Sequence, residues 1–250
     1  MTSARFFGLS GMRLVSQDPE SSHAFYAAIT GEDDAVSVIG AADWSSAAVD
    51  PPNVSGWVVE FGVSDVDEIV ERCVERGARV EGDDGRTVFL LDPGGARFGL
   101  RRTSADFCTD KTLRIAVLAA DLYTRNTEAS TEFYRRAFDL EVRVLPDDPV
   151  DYVQFLRDDR HVLGILDVTT FLGEGTPDQW MPYLLFADVD RALERATALG
   201  ALVTAPASDS PTGRYCILRD PAGHLIGIWD GASVADPAPR RSRPTARRSR

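Results

Sequence analysis

Apolar positions along the chain follow two alternating rhythms. The stretches "MRLVS" from Met12 and "RIAVLAA" from Arg114 run apolar or alternate at the two-residue period of a strand, and a segment with Phe25-Tyr26 or Phe133-Tyr134 on an apolar helical face follows each. The segments "DVDEIVERCVERGA" and "DVDRALERATALGA" carry apolar residues at helical spacing. Each starts beside an Asp able to cap a helix and closes near a glycine, Gly77 or Gly200. The Asp-Pro-x-Gly sequences at Asp92 and Asp220 predict tight turns between two final strands. "DYVQFLRDD" and "HVLGILDV" predict a hairpin, and "DAVSVIGAADWSSAAVD" carries a weaker form of that pattern.

These elements occur twice. Trp57, Asp65, Asp67 and Gly77 map onto Trp180, Asp188, Asp190 and Gly200 at a constant offset of 123. After a five-residue insertion Asp92 maps onto Asp220 at an offset of 128. Upstream, Phe25-Tyr26 matches Phe133-Tyr134. The chain is therefore read as two copies of one domain, residues 1–102 and 113–230, with a linker at 103–112 and a tail at 231–250.

Composition narrows the classes of function. With 250 residues and 44% hydrophobic content the chain can bury a sizeable core. No run of about 18 apolar residues occurs, and "MTSARFFGLSGMRL" lacks the charged and apolar regions of a secretion signal, so a cytoplasmic protein with no membrane partner is expected. Cys73, Cys108 and Cys216 are widely spaced, which fits neither a disulfide framework nor a zinc knuckle. The net charge of −12 includes a tail, Ala232 to Arg250, with six Arg and one Asp, which leaves −17 on the rest. Such a body repels nucleic acid, and a Pro-, Arg- and Ser-rich tail cannot support a core and is expected to be disordered.

The duplicated helix and the Asp-Pro-x-Gly ending resemble the vicinal oxygen chelate superfamily of glyoxalase I, bleomycin-resistance proteins and extradiol dioxygenases. That resemblance covers nearly all of the chain outside the tail. It implies an α+β fold of two tandem glyoxalase-like domains, each pairing βαβββ modules into a curved mixed-sheet cup with helices outside. Metal-dependent members place His or Glu at four inward strand positions. Carried over, these fall on Arg114, about Gly164, Met181 and Gly227 in the second domain, and on Gly11, a residue near Ala47, Val58 and Gly99 in the first. These residues cannot hold a divalent cation in the usual way, and His23, His161 and His224 do not replace them. The expectation is a metal-less subgroup with no metal site and no cofactor. Gly227 would leave room for an organic ligand to approach the strand, or would only relieve crowding.

Strand alternation gives each cup a lining. In the second, Arg114, Ala116 and Leu118, then Met181, Tyr183 and Leu185, then Leu225, Gly227 and Trp229 share a face. This suits a flat, largely hydrophobic guest held by stacking and anchored by Arg114. In the first, Arg13, Glu60, Arg97 and Arg101 collect on one face with Val15, Val58, Gly62 and Gly99. Glu60 either bridges the arginines as a structural ion pair or moves a proton beside them. Glu60, Tyr183 and Asp151 are the candidate proton carriers, and Arg13, Arg97, Arg101, Arg114, Leu118, Met181, Leu185, Gly227 and Trp229 the candidate ligand contacts. The expected activity is metal-independent rearrangement, cyclisation or elimination of a small organic molecule, with drug or metabolite sequestration as the alternative. The partner is a small molecule, and the chain itself is expected to be a monomer or homodimer.

Overall fold

A computed structural model describes residues 4–31, 36–41, 55–104, 119–144, 151–158, 160–170, 172–173, 175–210 and 213–231. Arg114, Leu118, the segment around Ala47, most of the 103–112 linker and the basic tail lie outside these residues. The first sheet is built from β1 (Phe6–Ser16), α1 (Pro19–Thr30), β2 (Ser37–Gly40), β3 (Gly56–Val63), α2 (Val66–Val74), β4 (Arg79–Asp83), β5 (Thr87–Leu91) and β6 (Arg97–Arg102). The second follows with β7 (Ala119–Thr124), α3 (Thr127–Phe138), β8 (Glu141–Val144), β9 (Val153–Arg157), β10 (Arg160–Asp167), β11 (Gln179–Leu185), α4 (Val189–Ala198), β12 (Leu202–Ser210), β13 (Gly213–Arg219) and β14 (Leu225–Trp229). Strand order is β2-β1-β3-β6-β5-β4 in one sheet and β12-β13-β14-β11-β7-β10-β9-β8 in the other. Each sheet joins two modules through an antiparallel pair at its centre, β1 with β3 and β7 with β11.

The helices begin where the sequence provides caps. Asp18, Asp65, Asn126 and Asp188 each accept a hydrogen bond from the backbone N–H three residues on, which satisfies a donor that the first turn would leave open. Gly77 and Gly200, at φ 93° and 94°, carry the chain out of α2 and α4 in the left-handed region. Asn126 occupies the place of Asp18, so β7 is offset from β1 by 108, the same offset as the Phe-Tyr pairs.

The back faces of both sheets turn toward the helices and make one interior. Phe61, Phe98, Leu122, Phe133, Tyr134, Phe138, Leu163 and Trp180 form one cluster drawn from both domains. Leu14, Tyr26, Trp57, Leu184, Ala192, Ile226 and Ile228 form another. Aromatic rings carry the contact, with Phe61 and Trp180 centroids 5.2 Å apart at 78°.

Two buried hydrogen bonds lock the domains in matching fashion. The Tyr26 hydroxyl of the first domain donates to Asp220 of the second at 2.9 Å, and Tyr134 of the second donates to Asp92 of the first at 2.9 Å. Each aspartate opens an Asp-Pro-x-Gly turn and also accepts a backbone N–H from within it, from Ala96 or His224. One carboxylate thus shapes its own turn and holds the opposite domain. Burial raises the Asp92 pKa; at Asp220 burial acts in the same direction, but the His224 ring, the His224 backbone N–H and the Tyr26 hydroxyl together outweigh it and lower the pKa.

Candidate functional site

The first cup gathers charge, and the charges meet one another. Arg13 on β1 donates through Nε to Glu60 on β3 at 2.6 Å and through Nη1 to Asp84 at 2.9 Å. Its guanidinium lies 4.9 Å above the Phe89 ring. Arg101 reaches the other Glu60 oxygen at 3.7 Å. Arg97 pairs with the buried Glu81, one N–H···O contact measuring 2.9 Å. Burial alone would raise Asp84, but the N–H groups of Arg86 and Thr87 and the Arg13 side chain outweigh it and hold its carboxyl below 3.8. Arg13, Arg97, Arg101 and Glu60 are therefore in ion pairs, the bridging arrangement that sequence left open beside proton transfer. Gly11 and Gly99 give Glu60 its space. A methyl group on Gly11 would sit 3.1 Å from a Glu60 oxygen, and one on Gly99 would sit 2.6 Å from a Thr87 carbon.

The second cup replaces ions with hydroxyls. Met181, Tyr183, Leu225 and Trp229 lie together with Tyr123, Leu166, Val168 and Ile217, and Tyr152, Leu185 and Tyr215 pack on them. The inward register of β11 and β14 is the one expected from alternation. On β7 it differs. Ala120 and Leu122, which continue the parity of Arg114, Ala116 and Leu118, belong to the interior behind the sheet. The inward residues are Ala119, Asp121 and Tyr123, and Ala119 pairs with Tyr183. Counting seven residues back from Asn126, the observed cap, lands on Ala119, whereas counting from Asp121 lands on Arg114.

Asp121 is the residue that sequence reasoning missed. It is only 7% exposed, and its Oδ1 accepts the Tyr152 hydroxyl at 2.8 Å. Tyr183 also hydrogen-bonds to it, while the Tyr183 and Tyr123 hydroxyls lie 3.2 Å apart. Burial pushes the Asp121 carboxyl up to about 6, only partly opposed by the Tyr152 and Tyr183 bonds. Burial likewise raises the Tyr123 and Tyr183 phenols well above 10. The repeat relates the two cups position by position. Arg13 corresponds to Asp121 at offset 108, and Glu60 to Tyr183 at offset 123. An ion pair in one cup stands where a carboxyl–phenol pair stands in the other.

The positions to which the resemblance assigns metal ligands, recounted from the observed cap, hold Ala119, Gly164, Met181 and Gly227 in this cup, and Gly11, Val58 and Gly99 in the other. Only the Met181 thioether carries any donor, and a divalent cation of this type needs imidazole, carboxylate or thiolate. A Cβ on Gly164 would lie 2.1 Å from the Tyr152 hydroxyl, and one on Gly227 would lie 2.1 Å from a Tyr183 ring carbon. The space at Gly227 is thus taken up by the Tyr183 ring rather than left for a guest. Among the described residues no three His, Cys, Asp or Glu side chains cluster as metal ligands. These residues do not fit a cation held in the family's manner.

Other candidates lie apart. Asp151 is exposed, with φ 48°, and it is the adjacent Tyr152 that reaches Asp121. His224 is buried against Asp220 and Ser55. No helix among the described residues is long and apolar enough to cross a membrane.

Paired modules forming two curved sheets, with their helices behind them, define a tandem cup architecture. Residues 114–228, most of the second repeat, match the family described as Glyoxalase/Bleomycin resistance protein/Dioxygenase superfamily. The chain is 28% identical over 193 residues to "Putative glyoxylase CFP32" of Mycobacterium bovis and of Mycobacterium tuberculosis, spanning 74% of this chain and 70% of each relative. Among solved structures, the Mn(II)-bound glyoxalase from Novosphingobium aromaticivorans is similar with TM-score 0.60 and 13% identity, over 91% of this chain and 83% of that one. A catechol 2,3-dioxygenase is similar with TM-score 0.58 and 18% identity, over 95% and 91%. At such identities these two likenesses concern the fold.

Proposed function

We propose that the second cup takes up a small, largely hydrophobic organic molecule, such as a secondary metabolite, and moves a proton within it without a metal. The observation that carries this reading is Asp121, a buried carboxyl poised near about 6 and bonded by the Tyr152 and Tyr183 hydroxyls. A base is most effective when its pKa lies near the working pH, and at pH 7 such a group is ionised roughly ten to one. Asp121 accepts a proton from an acidic C–H or O–H of the guest and returns it elsewhere on the same molecule. The result is rearrangement, cyclisation or elimination with no net redox change. Met181, Leu185 and Trp229 supply the apolar wall, and the buried phenols supply donors toward a developing negative oxygen.

A second reading, sequestration without chemistry, is favoured by the dense aromatic packing of this cup and by the bleomycin-resistance proteins within the family. Incubation of the protein with aromatic polyketide-like and dicarbonyl probes, with and without chelator, separates the readings. Product formation unaffected by chelator and reduced about 100-fold or more in Asp121→Asn supports catalysis. Tight binding of an unchanged probe supports sequestration. Chelator-sensitive turnover overturns the metal-free reading, and loss of turnover in Glu60→Gln alone moves the chemistry to the first cup.

A further inference from the structure

Asp121 is enclosed, and a carboxyl that gives and takes protons needs contact with water. One continuous path of polar atoms is present. The Tyr152 hydroxyl lies 2.8 Å from Asp121 Oδ1 and 3.2 Å from His161 Nε2, and His161 is exposed. The Tyr152 and His161 rings meet edge to face, with centroids 5.8 Å apart at 81°.

The backbone departs from regular pairing where these groups come together. On β10, Leu163 and Ile165 face the interior behind the sheet, whereas Leu166 faces the cup, so strict alternation would send His161 backward with Leu163. A bulge between His161 and Leu163 in the pairing with β9 breaks that alternation and brings His161 to the side of Tyr152. On the partner side, Asp151 adopts φ 48° immediately before Tyr152, a left-handed conformation that costs about 1 kcal/mol or more outside glycine. Gly164 completes the arrangement, because a Cβ there would overlap both the Tyr152 hydroxyl, at 2.1 Å, and Asp121 Oδ1, at 2.2 Å.

We infer that Tyr152 and His161 form the route by which Asp121 exchanges its proton with solvent. In one transfer the Tyr152 hydroxyl passes its proton to Asp121 and takes another from Nε2 of a protonated His161, and the neutral imidazole left behind regains a proton from hydronium, so the net change is one proton carried from solvent to the carboxylate. The inference rests on Asp121 as the proton carrier of the second cup, and it makes Tyr152 and His161 positioning and relay residues. The groups acting on the carboxyl are the Tyr152 and Tyr183 hydroxyls, with Tyr123 beyond Tyr183 and Tyr215 acting on Tyr123. His161 is open to solvent at one edge, yet enough protein surrounds its ring to lower its pKa from 6.5.

The test needs no substrate, so it can fail while turnover by Asp121 stands, or hold while turnover fails. In the full chain labelled with carbon-13 and nitrogen-15, the Asp121 carboxyl carbon and the three imidazoles are followed by NMR from pH 4 to pH 8. The expected native behaviour is one averaged Asp121 line with an inflection near about 6, and a His161 nitrogen curve with an inflection at the same pH. Asp121→Asn and Tyr152→Phe remove that inflection from His161. His161→Gln, checked for native folding by its amide spectrum, slows exchange so that protonated and ionised Asp121 give separate or broadened lines. A His161 curve indifferent to Asp121→Asn, or an Asp121 line that averages as fast in His161→Gln as in the native chain, overturns the inference.

Discussion

Replacing Asp121 with asparagine removes one titrating group from the interior, and its consequence for stability can be worked out in sign and size. The folded-state pKa, about 6, lies above the ordinary 3.8 of an aspartate. Between these values the unfolded chain has released the proton and the folded chain has kept it, so the folded state binds more protons and stability falls as pH rises. At ~1.36 kcal/mol per pH unit the gap amounts to about 3 kcal/mol, of which roughly 2 kcal/mol falls between pH 4 and pH 7. Asparagine keeps an acceptor for Tyr152 but carries no charge to desolvate, so this loss is absent from the variant. Urea unfolding of both proteins at pH 4, 5, 6 and 7 isolates the effect, because titrating groups remote from Asp121 contribute equally to each and only His161, joined to it through Tyr152, adds a small difference. The stability of Asp121→Asn relative to the native chain should rise by about 2 kcal/mol from pH 4 to pH 7. A relative stability that stays constant across this range would refute the burial argument and, with it, the poised carboxyl.

Two further outcomes follow from the packing. Tyr134→Phe deprives Asp92 of a buried donor and Trp180 Nε1 of its acceptor at 3.1 Å, whereas Tyr26→Phe leaves Asp220 still bonded by His224. Tyr134→Phe should therefore cost about 2 to 3 kcal/mol and Tyr26→Phe about 1, with urea midpoints as the check and the reverse ranking as the contrary result. Gly227→Ala drives a methyl group into the Tyr183 ring and should cost about 1 to 3 kcal/mol. By drawing the Tyr183 hydroxyl from Asp121 it should also move the carboxyl titration above about 6; an unmoved titration would mean that the ring does not hold that bond.

The duplication, the helix caps and the central strand faces are legible in sequence because each rests on local pattern. Asp65 and Asp188 cap their helices as read, and Glu60 meets arginines on the inner face. Asp121 escapes that reading because the inward parity of Arg114, Ala116 and Leu118 passes to Ala120 and Leu122, whereas the cap at Asn126 sets the opposite parity on this strand. A signal was available: the offset of 108 between the Phe-Tyr pairs carries Asp18 onto Asn126 and Arg13 onto Asp121. The meeting of Tyr152 with His161 has no such signal, since it depends on a bulge that period-two alternation cannot express. Nor does Asp-Pro-x-Gly reveal that its carboxylate holds a tyrosine of the opposite domain, a contact made only when the sheets dock.

The crossed tyrosine–aspartate locks bear on how this chain can be divided. Cutting between the repeats would leave each fragment with a phenol and a carboxylate whose native mates were removed, along with the greasy aromatic wall beside them. Separately produced halves should therefore seek each other out, re-forming the original assembly as a noncovalent heterodimer instead of persisting as independent miniatures.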